Sequence, residues 1–171
     1  LGKSLSEYDW TGINYNFANT EITDVVTATS YLKNETRVTS RVSPSFIRDT
    51  RDNFMNPSSG SRHVVRFDLA GLGGVKFHRM SYETSHYWPI AGKLVGMLHG
   101  SISWADGYGG DGLPSFEKYY MGGPKSLRGY TIKNIGPKDS LGNPLGGNQS
   151  LLLNAELQYP FTKGFRGFLF Y

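Results

Sequence analysis

The chain has 171 residues, 38% of them apolar and none of them cysteine, with 18 Lys and Arg against 14 Asp and Glu. The missing thiols exclude a disulfide framework and any thiolate metal site, and the basic residues are spread along the chain beside acids, as in Arg48-Asp49-Thr50-Arg51-Asp52, which argues against a nucleic-acid surface. A mean hydropathy of −0.39 suits a soluble protein or a membrane barrel equally, because barrel strands alternate apolar with polar residues.

No run approaches the roughly 20 apolar residues of a spanning helix. The start, Leu1-Gly2-Lys3-Ser4, has no initiator Met and no apolar leader core, and Gly167-Phe168-Leu169-Phe170-Tyr171 stops inside an apolar pattern. Both ends read as cut, so the expectation is a fragment.

Seven segments alternate with the period of a strand. The first, 10–18, sets Ile13, Tyr15 and Phe17 against Gly12, Asn14 and Asn16. The second, 38–49, sets Val42 and Phe46 against Thr39, Arg41, Ser43 and Ser45, with Pro44 as a discordant residue that cannot donate to a ladder. The third, 62–70, is the cleanest, with Val65, Phe67 and Leu69 opposite Arg66 and Asp68. In the fourth, 75–88, Met80, Tyr82 and Trp88 oppose Arg79, Ser81, Glu83 and Ser85; in the fifth, 94–105, Leu94, Leu98, Ile102 and Trp104 oppose His99, Ser101 and Ser103. The sixth, 150–159, opposes Leu151, Leu153, Ala155, Leu157 and Tyr159 to Ser150, Asn154, Glu156 and Gln158, and the seventh, 165–171, is mostly apolar on both sides.

Connections alternate in length. Residues 52–60, 89–93 and 160–164 carry Pro, Gly and Asn turn chemistry. Between them fall a long polar connection (19–37), a glycine-rich one (71–74) and a run, 106–149, with no regular periodicity. Residues 22–33 allow a short helical turn, which the β-branched Val25, Val26, Thr27 and Thr29 disfavour. Several strands reach the roughly 9 to 11 residues a tilted membrane-spanning strand requires. The fold class expected is all-β: an antiparallel meander of about seven strands, part of a transmembrane β-barrel with a long lumen-inserted loop. A soluble β-sandwich with secreted activity is the rival.

Irregular connections as long as 106–149 are uncommon unless they work. Within it, Gly122-Gly123-Pro124 is suited to a sharp turn, and Arg128 beyond it carries a guanidinium that can bind a carboxylate bidentately. Gly129 then allows close approach to a wall. Glu156, on the polar side of the next strand, is the suitable partner, since a carboxylate inside a barrel needs a cation or water. A solvent-exposed arginine and a hydrated glutamate remain the plainer alternative.

His63, His78, His86 and His99 lack metal-ligand spacing and read as lumenal or interfacial residues. Asp106-Gly-Tyr-Gly-Gly-Asp111 lacks the remaining signature of a calcium or phosphate loop and reads as a flexible loop entry, and the sequons at Asn34 and Asn148 are short enough to be chance. No metal, cofactor or catalytic constellation is expected, and the chain does not read as an enzyme.

The tetrapeptide Leu127-Arg128-Gly129-Tyr130 resembles the Val-Arg-Gly-Phe-like motif on the sixth extracellular loop of the superfamily of outer-membrane insertases and two-partner secretion transporters. Ser43 to Asn53 with Pro57 and Gly60, Phe116 to Gly123, and Asn134 to Lys138 are similar to its insertase branch, the barrel subunit of the bacterial β-barrel assembly machinery. The resemblance implies a barrel of roughly sixteen strands, of which 1–171 supplies about the seventh to the thirteenth. POTRA domains and the terminal strands would lie outside.

It also implies that Arg128 meets Glu156 inside the lumen, that Gly129 and Tyr130 pack the loop, and that a second acid falls just past Tyr171. The implied function is insertion of β-barrel proteins into the bacterial outer membrane without a cofactor. Its implied partners are unfolded barrel clients, assembly-machinery lipoproteins, and outer-membrane lipid and lipopolysaccharide, with no nucleic acid. A two-partner secretion pore and a passive porin are the alternatives.

Overall fold

A computed structural model of the chain describes residues 1–22, 35–110, 112–124, 126–162 and 165–171. The expected helical turn lies outside these residues apart from Ile22, which ends a strand, and so does Asn34, whose sequon runs on into the next strand.

One antiparallel sheet of eight strands runs in strict sequence order: β1 (Gly2–Ser4), β2 (Asp9–Ile22), β3 (Glu35–Asp49), β4 (Gly60–Gly74), β5 (Phe77–Ala91), β6 (Leu94–Gly107), β7 (Gln149–Thr162) and β8 (Phe165–Phe170). The short β1, absent from the sequence expectation, pairs with β2. Connections at one end are short, and β6 and β7 are joined at the other end by the long loop. Among the described residues no helix is long and apolar enough to cross a membrane.

Register explains why the alternation is so clean. Phe46, Val65, Tyr82, Ile102 and Leu151 lie in one row across five strands, as do Arg41 and Ala70 or Asp68 and Arg79 on the opposite face. The apolar set is exposed on one face of the sheet, which is the arrangement of a lipid-facing wall and the reverse of a water-soluble core.

The apolar band also slides against the register. Tyr15, Val42, Leu69, His78 and Asp106 share one row. Tyr15 centres the band on β2, between Ile13 and Phe17, whereas on β6 the band runs from Leu98 to Trp104. Its centre has moved about five residues in four strand steps, which at about 3.3 Å per residue and about 4.8 Å per strand is a tilt of about 40°. A level apolar belt in a bilayer requires this slide when strands tilt as barrel strands do.

Several expected boundaries shift. Gly71 to Gly74, expected as a connection, belongs to β4: Gly74 pairs with Thr39, while pairing toward β5 ends at Ala70 and Phe77. Gly74 has φ +80, and a Cβ there would sit 2.0 Å from the Val38 carbonyl oxygen, so the bulged edge tolerates only glycine. Strands β5 and β7 likewise run through Pro89 and Pro160, each followed by a register shift. On β3 the ladder to β4 skips Ser43 and Pro44 and resumes in the same register at Ser45, because Pro44 has no N–H to give.

The loop is not structureless either. It holds a 3-10 turn (Ser115–Glu117) and three antiparallel bridges, Tyr119 to Gly147, Met121 to Ile135 and Lys138 to Pro144. Leu113, with Phe116 and Tyr119 beside it, packs on Ala70, Val75, Phe77 and Ala105, forming an apolar cluster between loop and inner wall.

Candidate functional site

The loop returns on itself at Met121 to Leu127. Gly122 (φ +108) and Gly123 (φ +95) take left-handed conformations, and the Gly123 N–H donates to the Leu127 carbonyl at 3.1 Å. The Gly122 N–H donates to Ser126 Oγ at 2.9 Å, closing the turn that Pro124 bends. A Cβ on Gly122 would meet the Thr131 carbonyl at 2.3 Å, so this glycine is required by space as well as by φ.

The turn aims Arg128 at the inner wall. Its Nη1 donates to Glu156 Oε1 at 2.7 Å. The Glu156 side chain is 6% exposed and that of Arg128 37%. Gln158 Nε2 donates to the second carboxylate oxygen, Oε2, at 2.9 Å, and Arg166 Nη1 donates to Gln158 Oε1 at 2.5 Å. Both carboxylate oxygens are therefore occupied, which offsets the cost of keeping a charge away from water.

Two aromatic rings complete the seat. Arg128 Cζ stands 4.9 Å from the Phe170 ring centre and 5.4 Å from that of Phe168. Phe170 registers with Glu156 and Phe168 with Gln158, so both rings project from β8 to the inner face. This is why β8 carries apolar residues on both sides. The signal was available: large apolar residues in a lumen-facing register need a lumenal partner.

Other residues of the tetrapeptide behave differently from expectation. Gly129 has open space around the position of a Cβ, so it serves its φ of +86 rather than close approach. Tyr130 is 59% exposed and does not pack the loop among these residues; Leu127 is half-buried beside Arg128.

A second seat was not anticipated. The 3-10 turn lowers Glu117 between two wall arginines: Arg79 Nη2 donates to Glu117 Oε2 at 2.7 Å and to its carbonyl at 2.6 Å, and Arg41 Nη1 lies 3.5 Å from the same carboxylate. Buried Asp68 faces both arginines, at 3.8 Å from Arg41 and 3.7 Å from Arg79. Arg79 also stacks over Phe77 and Tyr119. Burial pushes the neighbouring Tyr119 and Tyr120 phenols up from their ordinary pKa. Arg41, Asp68 and Arg79 all sit on the polar side of their strands, but only the folded loop reveals that Glu117 joins them.

The histidines divide between faces. His99 is lumenal and bonds Ser85 at 3.0 Å. His63, His78 and His86 face outward, against Tyr82, Trp104 and Trp88 respectively. Asp106 accepts from the Gly107 N–H at 2.9 Å, at the loop entry; Asp111 lies outside the described residues.

A tilted, outward-apolar antiparallel wall with an arginine loop seated on its inner face is part of a transmembrane β-barrel. The whole chain, residues 1–171, matches the Omp85 superfamily domain, and the chain belongs to that superfamily. It is a segment of an outer-membrane β-barrel.

Among curated relatives it is similar to the outer membrane protein assembly factor BamA of Neisseria meningitidis serogroup B, 31% identical over 66% of this chain and 15% of that protein. The BamA of Nitratidesulfovibrio vulgaris is 28% identical over 92% of the chain and 21% of its own length. The sorting and assembly machinery component 50 homolog of Mus musculus is 31% identical over 75% of the chain and 28% of its own length. The chain thus spans well under a third of these relatives. The crystal structure of BamA from Haemophilus ducreyi lacking POTRA domains 1-3 shares the fold at a TM-score of 0.80, with 21% identity, over 99% of this chain and 39% of that one.

Proposed function

We propose that this chain is the middle of the barrel of an insertase that folds β-barrel proteins and places them in the bacterial outer membrane. The observation that carries the reading is the Arg128 to Glu156 contact at 2.7 Å, a loop tip held to the wall by a charge pair whose acid is nearly excluded from water. Relatives named as assembly factors in bacteria and as sorting and assembly components in mouse support it.

In this reading the chain performs no covalent chemistry and needs no cofactor. Work on a client is done by an open strand edge elsewhere in the barrel, whose unpaired N–H and C=O groups template an incoming strand. The partners are unfolded barrel clients and the lipoproteins of an assembly machinery. The residues described here keep the wall rigid while that edge opens.

The test is complementation of a strain depleted of the protein. Arg128→Glu in the full-length protein, still made and membrane-integrated, should lower the amount of folded client barrels in the outer membrane, and Arg128→Glu with Glu156→Arg should recover part of it. Full insertion by the single variant would overturn the reading.

A further inference from the structure

The outward face contains a polar patch that the insertase reading leaves unused. Val65 is the last apolar outward residue of β4 toward the short turns; His63 and Ser61 follow it. In the same rows Phe46 gives way to Arg48 on β3, and Tyr82 to Thr84 on β5. Asp9 is the register partner of Arg48.

The patch is internally ordered. Arg48 Nη1 donates to both Asp9 oxygens, at 3.0 and 3.1 Å, and Ser6 Oγ donates to Asp9 Oδ2 at 2.8 Å. His63 Nδ1 lies 2.9 Å from the Tyr82 hydroxyl and 3.0 Å from Thr84 Oγ1, and its Nε2 lies 3.1 Å from Ser61 Oγ. The Arg48 side chain is 51% exposed and contacts Asp9 through Nη1. On a wall that meets lipid, an exposed cation beside an anion is costly unless polar headgroups come to it.

We propose that this face binds a phospholipid with a primary-ammonium headgroup, of the phosphatidylethanolamine class. Its phosphate takes the exposed Arg48 guanidinium, and its ammonium donates to Asp9. The short turns of such barrels face the periplasm, so the lipid belongs to the phospholipid leaflet. The proposal rests on the barrel and its lipid-facing side, not on insertase activity.

The experiment is native mass spectrometry of the full-length protein extracted in detergent, titrated with phosphatidylethanolamine, phosphatidylcholine or phosphatidylglycerol. Folding is followed separately by heat-modifiable gel mobility. Wild type should retain the ethanolamine lipid about tenfold better than the choline lipid, whose nitrogen has no N–H to donate. Asp9→Asn should erase that preference, Arg48→Gln should lower retention of all three lipids, and Arg48→Lys should restore most of it.

Equal retention of the ethanolamine and choline lipids by wild type would overturn the proposal. So would preferential retention of phosphatidylglycerol, or a preference that survives Asp9→Asn in folded protein.

Discussion

Glu156 and Phe170 are register partners on β7 and β8, and the Arg128 guanidinium touches both, at 2.7 Å from the carboxylate and 4.9 Å from the ring centre. The carboxylate supplies charge; the ring covers it and lowers the local polarity. An ion pair that would be weak on an open surface is thereby strengthened, since exposure and screening are what reduce such pairs to a fraction of a kcal/mol.

Arg128→Ala should therefore destabilise the folded barrel by about 1 to 3 kcal/mol, most of it the cost of leaving Glu156 buried with Gln158 as its remaining partner. Arg128→Glu should cost more. Midpoints of heat-modifiable mobility in detergent would measure both, and an unchanged midpoint for Arg128→Glu would show that the pair contributes nothing.

Removing the rings tests their share. Phe168→Ala with Phe170→Ala should cost about 1 to 2 kcal/mol, from two cation–π contacts and lost packing. It should also make the remaining ion pair more sensitive to salt, because water then reaches it. The readout is the midpoint at low and high ionic strength, compared with wild type.

Glu117 predicts a separable second anchor. Glu117→Gln keeps the size of the side chain but leaves Arg41 and Arg79 facing each other with only Asp68 between them, at an expected cost of about 1 to 3 kcal/mol. In double-mutant cycles Glu117→Gln should couple to Arg79→Lys by about 1 kcal/mol and be additive with Glu156→Gln, which shares no partner with it.

The glycines of the motif should differ in severity. Gly122→Ala forces a Cβ to 2.3 Å from the Thr131 carbonyl, so the turn must open. Gly129→Ala meets no neighbour within 4 Å and bears only the conformational cost of φ +86, about 1 kcal/mol. Limited proteolysis of the loop should show fast cleavage for the first variant and near-normal protection for the second.

The wall was legible because period-2 alternation and sheet register are the same geometry: Val65, Phe67 and Leu69 could face only one way. Arg128 and Glu156 were legible because the motif and the polar side of β7 each pointed to the other. Glu117 was hidden, since its two wall partners, Arg41 and Arg79, come from β3 and β5 and no local spacing joins them to a loop. Phe168 and Phe170 were visible but ambiguous; a strand apolar on both sides means nothing until something is known to lie against its inner face. Gly71 to Gly74 misled because glycine marks turns and bulges alike.

The loop has two footholds, one on β3 to β5 through Glu117 and one on β7 and β8 through Arg128. A segment fastened at both ends across the concave side of a bent sheet acts as a bowstring on a bow. It sets the chord between those strands, and with it the local radius of the arc, so that slackening either knot would let the wall flatten.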